Sequence, residues 1–277
     1  MATTLNLTAH QPTPPFRTVR DGLLIAGRNL LNLRRTPGAV IAALVQPLMF
    51  VLLLAYVFGG SLGGAEYRTF LMGGIFAQAV TFNASFTAIG LAADMDKGMV
   101  DRFRALPTPR GSVILGRTLS DLALSAVTLT VTSLCGLLVG WRVEGSAVEA
   151  IAAYGLILLF AFAMSWVGAT IGLMARSVEV AQSAGLIWLF PVTFVSGAFV
   201  SVATMPGPLR VVAEWNPVSA TATATRSLFG NKAPSAVLPP DSWPVQHATA
   251  YALLCACAVI ALFMPLAVGR YRRIARG

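Results

Sequence analysis

Charge is scarce in this sequence. Asp, Glu, Lys and Arg make up 11% of its 277 residues, where a soluble globular domain carries about a quarter. With 56% hydrophobic residues and a mean hydropathy of +0.73, the deficit excludes an ordinary soluble domain. Histidine is nearly missing. His10 lies in the N-terminal tail and His247 at the edge of an apolar run, so imidazole catalysis and His-rich metal sites lack material. Cys135, Cys255 and Cys257 all fall inside apolar runs, which suits packing residues better than disulfides or zinc ligands. No Gly-x-x-x-x-Gly-Lys-Ser/Thr loop is present, so the chain does not itself cradle nucleotide phosphates. His-Glu-x-x-His and Gly-x-Ser-x-Gly are missing as well. No pair of acids lies deep in an apolar run, where Asp121 is the one plausible acid, so a proton relay or intramembrane aspartyl protease lacks its parts. Read this way, the chain is not an enzyme on its own and has no metal or cofactor of its own.

What is present is apolar length. Six runs, at about 39–58, 69–93, 113–140, 147–174, 180–203 and 246–269, each approach the roughly 20 residues a bilayer requires. They predict an all-α integral membrane protein with six transmembrane helices in one domain, 16–277. Residues 1–15 are polar and Pro-containing and read as a disordered tail. In 16–36, Phe16, Val19, Leu23 and Leu30 fall on one side of a helix and Arg17, Arg28 and Arg35 on the other. That pattern predicts an interfacial helix on an anionic leaflet, ended by Pro37-Gly38. Pro47 and Pro191 are expected kinks within spans one and five. Arg117 and Asp121, spaced i, i+4 at the start of span three, are expected to pair on one helix face.

Basic residues set the orientation. With six spans, the two termini and the loops after spans two and four share one side, and fifteen of the twenty Lys and Arg lie there. Both termini are therefore expected in the cytoplasm. Trp141, Trp215 and Trp243 then fall at the outer interface, where amphipathic rings prefer to sit. No internal repeat is visible, which disfavours an inverted-repeat secondary transporter.

The densest charge lies between spans two and three, in 94–112, with Asp94, Asp96, Asp101, Lys97, Arg102, Arg104 and Arg110. Such a segment belongs in water or at headgroups. Met99, Phe103 and Leu106 recur at i, i+4, i+7 between the breakers Gly98 and Pro107. Two readings fit: a short amphipathic helix docking in a groove of a soluble partner, or a solvated loop with a capped turn. In the outer loop 204–245, two short helices are expected, split at Asn216-Pro217. They either dip into the interface or form an ordinary ectodomain loop.

Inside the spans there are polar stripes. Asp121, Ser125, Thr128, Thr132 and Cys135 follow one face of span three. Span two offers Gln78, Thr81 and Ser85 beside Phe82 and Phe86. Span five offers Thr193 and Ser196 beside Phe190, Phe194 and Phe199, and span four carries Gly168-x-x-x-Gly172. Hydroxyl and small residues in spans most often serve helix packing. The alternative is that the Phe-plus-hydroxyl faces of spans two and five line a route for an amphiphile.

Lys97-Gly98-Met99-Val100-Asp101-Arg102-Phe103-Arg104-Ala105-Leu106-Pro107, leading to Gly116-Arg117, resembles the signature of type-2 ABC transporter permeases. A second block, Phe194-Val195-Ser196-Gly197-Ala198-Phe199, Met205-Pro206, Trp215-Asn216-Pro217 and Arg226-Ser227-Leu228-Phe229-Gly230, is similar to the daunorubicin-resistance permease subfamily of bacterial drug and lipid exporters. The resemblance runs from about Phe16 to Arg276. It implies a dimer, with a second copy or a paralogue, bound to two cytoplasmic ABC ATPase subunits that carry ATP and Mg. It makes 16–36 a connecting helix and the loop after span two a coupling helix, with Lys97, Gly98, Asp101, Arg102, Phe103, Arg104, Leu106 and Pro107 at the ATPase. It also makes the outer helices re-entrant caps of the exit. Aromatic and polar route residues vary widely in that family, so the cargo does not transfer.

The resulting expectation is the permease subunit of an ATP-driven exporter of an amphiphilic drug, antibiotic or lipid in a bacterial plasma membrane, with no nucleic-acid partner. The rivals are a lipid or glycan-precursor exporter of the same class, and a self-contained secondary transporter or channel.

Overall fold

The computed structural model describes Gly27 and residues 37–59, 64–98, 110–231 and 240–274. Every regular element among them is helical. Helix α1 (Pro37–Leu53) continues into a π-turn, Leu54–Phe58. There follow α2 (Gly64–Asp96), α3 (Arg110–Val139), α4 (Ala147–Met174) and α5 (Val178–Phe194). After a 3-10 turn at Val202–Thr204 come α6 (Gly207–Glu214), α7 (Pro217–Leu228), α8 (Trp243–Gln246) and α9 (Ala248–Ile274). Five spans, α1 together with its π-turn, α2, α3, α4 and α9, are long and apolar enough to cross a membrane; α5, with 17 residues and no such extension, is shorter. The tail 1–15, the 16–36 segment other than Gly27 (helical), and Asp101, Arg102, Phe103, Arg104, Leu106 and Pro107 lie outside the described residues.

Local chemistry sets the helix ends. Ser146 and Glu149 form a reciprocal capping box at the start of α4: the Glu149 N–H donates to Ser146 Oγ at 3.3 Å, and the Ser146 N–H to Glu149 Oε2 at 2.8 Å. Ser177 caps α5 by accepting from the Val180 N–H. After α2 the chain turns at Gly98, whose φ of +63° suits a residue without Cβ, and the Gly98 N–H donates to the Met95 carbonyl.

α2 is the axis of the bundle. At 1.5 Å per residue its 33 residues run roughly 50 Å. Its most apolar window is 83% buried within the chain, against 22% for α1 and 17% for α9, so α2 is central and those two are peripheral. α4, α5, α7, α3 and α1 all pack on it. The close contact with α4 runs through Gly168 and Gly172. A Cβ at Gly168 would overlap the Ala84 carbonyl, and one at Gly172 would lie 2.6 Å from that of Ala88. Gly168-x-x-x-Gly172 is thus a packing seam between α2 and α4, where small residues let backbones approach. α1 and its π-turn leave Ile41, Val45, Met49, Leu52 and Tyr56 exposed, an apolar stripe suited to lipid or protein.

Two expectations change. The apolar run 180–203 is not one helix: α5 stops at Phe194 and the backbone from Val195 to Ser201 is irregular. Its polar groups are instead held by side chains of the segment that follows, as detailed below. Trp141 is not an interfacial ring. It is 1% exposed, donates from Nε1 to Asn231 Oδ1 at 2.6 Å, and packs edge-on against Phe76 and Phe229. Trp215 and Trp243 are half-exposed and flank Tyr251, as an interfacial belt would.

Candidate functional site

The candidate site is built at three levels along α2. At its C-terminal end, where the charged loop departs, Arg117 of α3 reaches across. Its guanidinium lies 3.4 Å from the Asp121 carboxylate on its own helix and 3.5 Å from Asp94 of α2, and Nη2 donates to the Phe86 carbonyl at 3.4 Å. Gly90 has no side chain to obstruct it; a Cβ there would overlap the guanidinium. The pairing with Asp121 follows from i, i+4 spacing, whereas Asp94 and the Phe86 carbonyl come from tertiary packing. One cation thereby joins the two helices that flank the loop. Lys97 is exposed at the start of that loop and Gly98 half-buried.

One turn or so further in, the Asn83 amide donates to Ser125 Oγ at 3.0 Å, a buried crosslink from α2 to the polar stripe of α3. Asp121, Ser125, Thr128 and Thr132 are all buried, with Cys135 partly so. Thr128 donates to the Leu124 carbonyl of its own helix. The stripe therefore faces neighbouring helices.

At mid-depth α2 meets α5. Ser85 faces Gly185, the Phe82 and Phe190 rings meet edge-on at 5.5 Å, and Gly74 abuts Ala198. These three contacts fix an antiparallel register. Phe190 stacks on Phe194 at 5.8 Å, Phe194 approaches Phe199 at 5.7 Å, and Phe199 stacks on Phe50 of α1 at 5.5 Å. A continuous aromatic run thus links α2, α5 and α1. Phe190 and Phe194 are about half exposed, while Phe82 and Phe199 are buried and Phe86 is half-buried. The polar members divide. Thr81 donates to the Ala77 carbonyl and Ser196 to the Thr193 carbonyl. The side-chain polar atoms of Gln78, Ser85 and Thr193 are buried without a hydrogen-bond partner among the described residues.

At the other end of α2 the irregular segment after α5 is stitched down by α7. Asn216 Nδ2 donates to the carbonyls of Val192 and Val195 at 2.7 and 2.8 Å, while its Oδ1 accepts the Val218 N–H and caps α7. Ser219 Oγ accepts the Gly197 N–H at 2.8 Å. Arg226 completes the set: Nε donates to the Phe70 carbonyl at 2.6 Å, Nη1 to Gly197 at 2.8 Å and Nη2 to Ala198 at 2.6 Å. Non-helical backbone at this depth is tolerable because protein donors and acceptors replace water. Arg226 is 6% exposed and has no carboxylate among its described partners. Burial pulls its pKa down to about 9, which still leaves a cation at neutral pH.

The fold thus brings together Phe82, Phe190, Phe194 and Phe199, four of the residues expected to line a route, and places Arg117 and Asp121 at one end of α2. Arg226 and Asn216 were not among the expected site residues. One signal for Arg226 was available: it closes a run of small and hydroxyl residues, Ser219 to Thr225, whose helix packs closely on α2. Its carbonyl partners, up to 156 residues away in sequence, carry no side-chain signature.

A family model described as "ABC-2 type transporter" matches residues 22–229, a stretch that contains all three levels. The chain is 33% identical over 248 residues to the daunorubicin resistance ABC transporter permease protein DrrB1 of Streptomyces coeruleorubidus, covering 88% of this chain and 83% of that one. It is 25% identical over 262 residues to the probable doxorubicin resistance ABC transporter permease protein DrrC of Mycobacterium tuberculosis, covering 92% and 89%. By the extent of these matches, the chain belongs to the ABC-2 type transporter family.

Proposed function

We propose that this chain is the transmembrane permease subunit of an ATP-driven exporter, moving an amphiphilic drug, antibiotic or lipid out of a bacterial cell across the plasma membrane. The observation that supports this most is the tying of α2 at both ends: Arg117 joins it to α3 beside the charged loop, and Arg226 joins it to α7 and the post-α5 segment. About twenty residues, hence roughly 30 Å, separate the two ties, which is close to the hydrocarbon thickness of a bilayer. A push on the loop is thereby carried to the far side as motion of packed, nearly rigid elements.

In this reading α5 is the fifth of six spans and both termini are cytoplasmic, as the Lys and Arg bias requires. α6 and α7 form the outer re-entrant cap. The 94–112 segment is the coupling element for a cytoplasmic ABC ATPase, with two ATPase copies and a second permease chain completing the complex. ATP and Mg belong to the ATPase; this chain contributes the route and the mechanical linkage.

The test is uptake of a fluorescent amphiphile into inverted vesicles holding the permease and its ATPase. ATP-dependent uptake that survives collapse of proton and sodium gradients is expected. Uptake that needs a gradient and ignores ATP contradicts the proposal and favours a secondary transporter. A lipid cargo is the second reading. It is favoured by Phe190 and Phe194, whose half-exposed rings stand on an outward face of α5 where a lipid chain can approach from the side. Flux assays with labelled lipids separate it from drug export.

A further inference from the structure

The register of α2 against α5 puts Gln78 and Thr193 at one level of their seam. Ser85 lies against Gly185 and Phe82 against Phe190, with Gly74 against Ala198 just beyond the end of α5, and counting between these contacts leaves Gln78 opposite Thr193. Gln78 is 1% exposed and Thr193 0%. Among the described residues, neither the amide oxygen nor the amide nitrogen of Gln78 has a partner, and neither does Thr193 Oγ1 or, two turns along, Ser85 Oγ. Buried polar groups in folded proteins are almost always paired, because an unpaired one carries its full desolvation cost. Thr81 and Ser196, close by, obey that rule through backbone carbonyls.

We infer that Gln78 and Thr193 form a hydrogen-bonding subsite for an uncharged aromatic ligand, their polar atoms being satisfied by hydroxyl or carbonyl groups of the cargo. The aromatic members flank them: Phe82 on α2, and Phe190 and Phe194 on α5 with rings already ordered in an edge-on and stacked series. No charged side chain occurs in α2 from Gly74 to Ser85 or in α5 from Gly185 to Phe194, and the cation packed nearest, Arg226, is committed to the carbonyls of Phe70, Gly197 and Ala198. A primary amide supplies both donor and acceptor and a threonine hydroxyl can do the same. The seam therefore selects a planar ring that bears a neutral hydrogen-bonding group over the same ring without one. This inference rests on the reading of the α2–α5 seam as part of the route.

The experiment uses the permease with its ATPase in lipid nanodiscs, titrated with hydroxymethyl-anthracene and with its methyl analogue, whose rings carry no other polar group. Binding is followed by quenching of tryptophan fluorescence and corrected for partition into empty nanodiscs. Wild type is expected to bind the hydroxymethyl compound about tenfold more tightly or better, the discrimination a site built for a hydroxyl can reach. Gln78→Leu and Thr193→Val each remove or sharply reduce that preference while the methyl analogue binds as before. Phe194→Ala weakens both compounds alike. Thermal melting provides the second readout: Gln78→Leu melts no lower than wild type, because it removes buried polar atoms that had no partner.

An unchanged preference in Gln78→Leu and Thr193→Val, no preference in wild type, or a lowered melting point for Gln78→Leu overturns the inference. If Phe194→Ala nevertheless weakens both compounds, the seam remains a route without a polar subsite. If Phe194→Ala changes neither, the seam is not the route, and the underlying reading fails with it.

Discussion

The guanidinium carbon of Arg226 stands 3.6 Å from the centroid of the Phe70 ring, while its Nε–H donates to the carbonyl of that same residue. Cation–π contact and hydrogen bonding thus act together at one residue of α2, and the remaining N–H groups hold the segment that follows α5. Replacing Arg226 with Ala takes the donor from the buried carbonyls of Gly197 and Ala198 and a second donor from that of Phe70, which α2 already engages, and leaving a buried carbonyl unpaired costs about 1–3 kcal/mol. The expected result is a destabilisation of about 4 kcal/mol, read as a large fall in melting temperature in detergent. Arg226→Lys retains the charge but not the planar fork, so it should fall between Ala and wild type.

Arg117 is the corresponding tie at the loop end. Its side chain is 24% exposed, and those of Asp94 and Asp121 are 31% and 11% exposed, so solvent screens part of the interaction. Arg117→Ala should cost about 1–2 kcal/mol. The functional effect should be larger, because α2 and α3 lose their shared clamp: ATPase binding persists while transport per ATP hydrolysed falls. Asp121→Asn is expected to be milder, since Asp94 and the Phe86 carbonyl still engage Arg117. Paired measurements of ATP turnover and transport distinguish this from simple loss of assembly.

Gly168 has no room for a Cβ beside the Ala84 carbonyl. Gly168→Ala must separate α4 from α2 along their main contact, and overpacking of this kind costs about 1–3 kcal/mol. Gly155, with nothing within 4 Å of its would-be Cβ, is the control. Gly155→Ala should leave the yield of folded protein unchanged or raise it, and a matching loss at both positions would contradict the seam.

Orientation has its own test. Single cysteines at Lys97 and at Arg142, in a background without the three native thiols, should react with a membrane-impermeant maleimide from opposite sides. Lys97→Cys should label only in inverted vesicles and Arg142→Cys only in intact cells. Labelling of both from one side would overturn the span count or the charge-based orientation.

Much of the fold was legible because membrane helices announce themselves by length. The expected span 147–174 coincides with α4, and spans one, two, three and six agree with α1, α2, α3 and α9 to within a few residues at most ends. Asn216-Pro217 marked the start of α7 through cap chemistry that is local in sequence. The fifth run misled because hydropathy continues through Val195, Ala198, Phe199 and Val200 after the helix has stopped. What permits the break is a set of donors and acceptors from Asn216, Ser219 and Arg226, whose partners lie 21 to 29 residues away. The same holds for Trp141, whose partner Asn231 is 90 residues distant. Hydropathy and periodicity identify what a helix is made of. They do not say which backbone carbonyl a distant arginine will reach.

Gentle purification of the tagged protein from native membranes decides whether this chain works with an ATPase. The comparison is an Arg102→Glu/Arg104→Glu variant shown to insert normally. A P-loop ATPase is expected to co-purify with wild type in stable stoichiometry and to be lost, or to remain bound without supporting transport, in the variant. Absence of any nucleotide-binding protein from wild type in every mild detergent, or a charge reversal that leaves both association and transport intact, rules out an ATPase-coupled permease working through this loop.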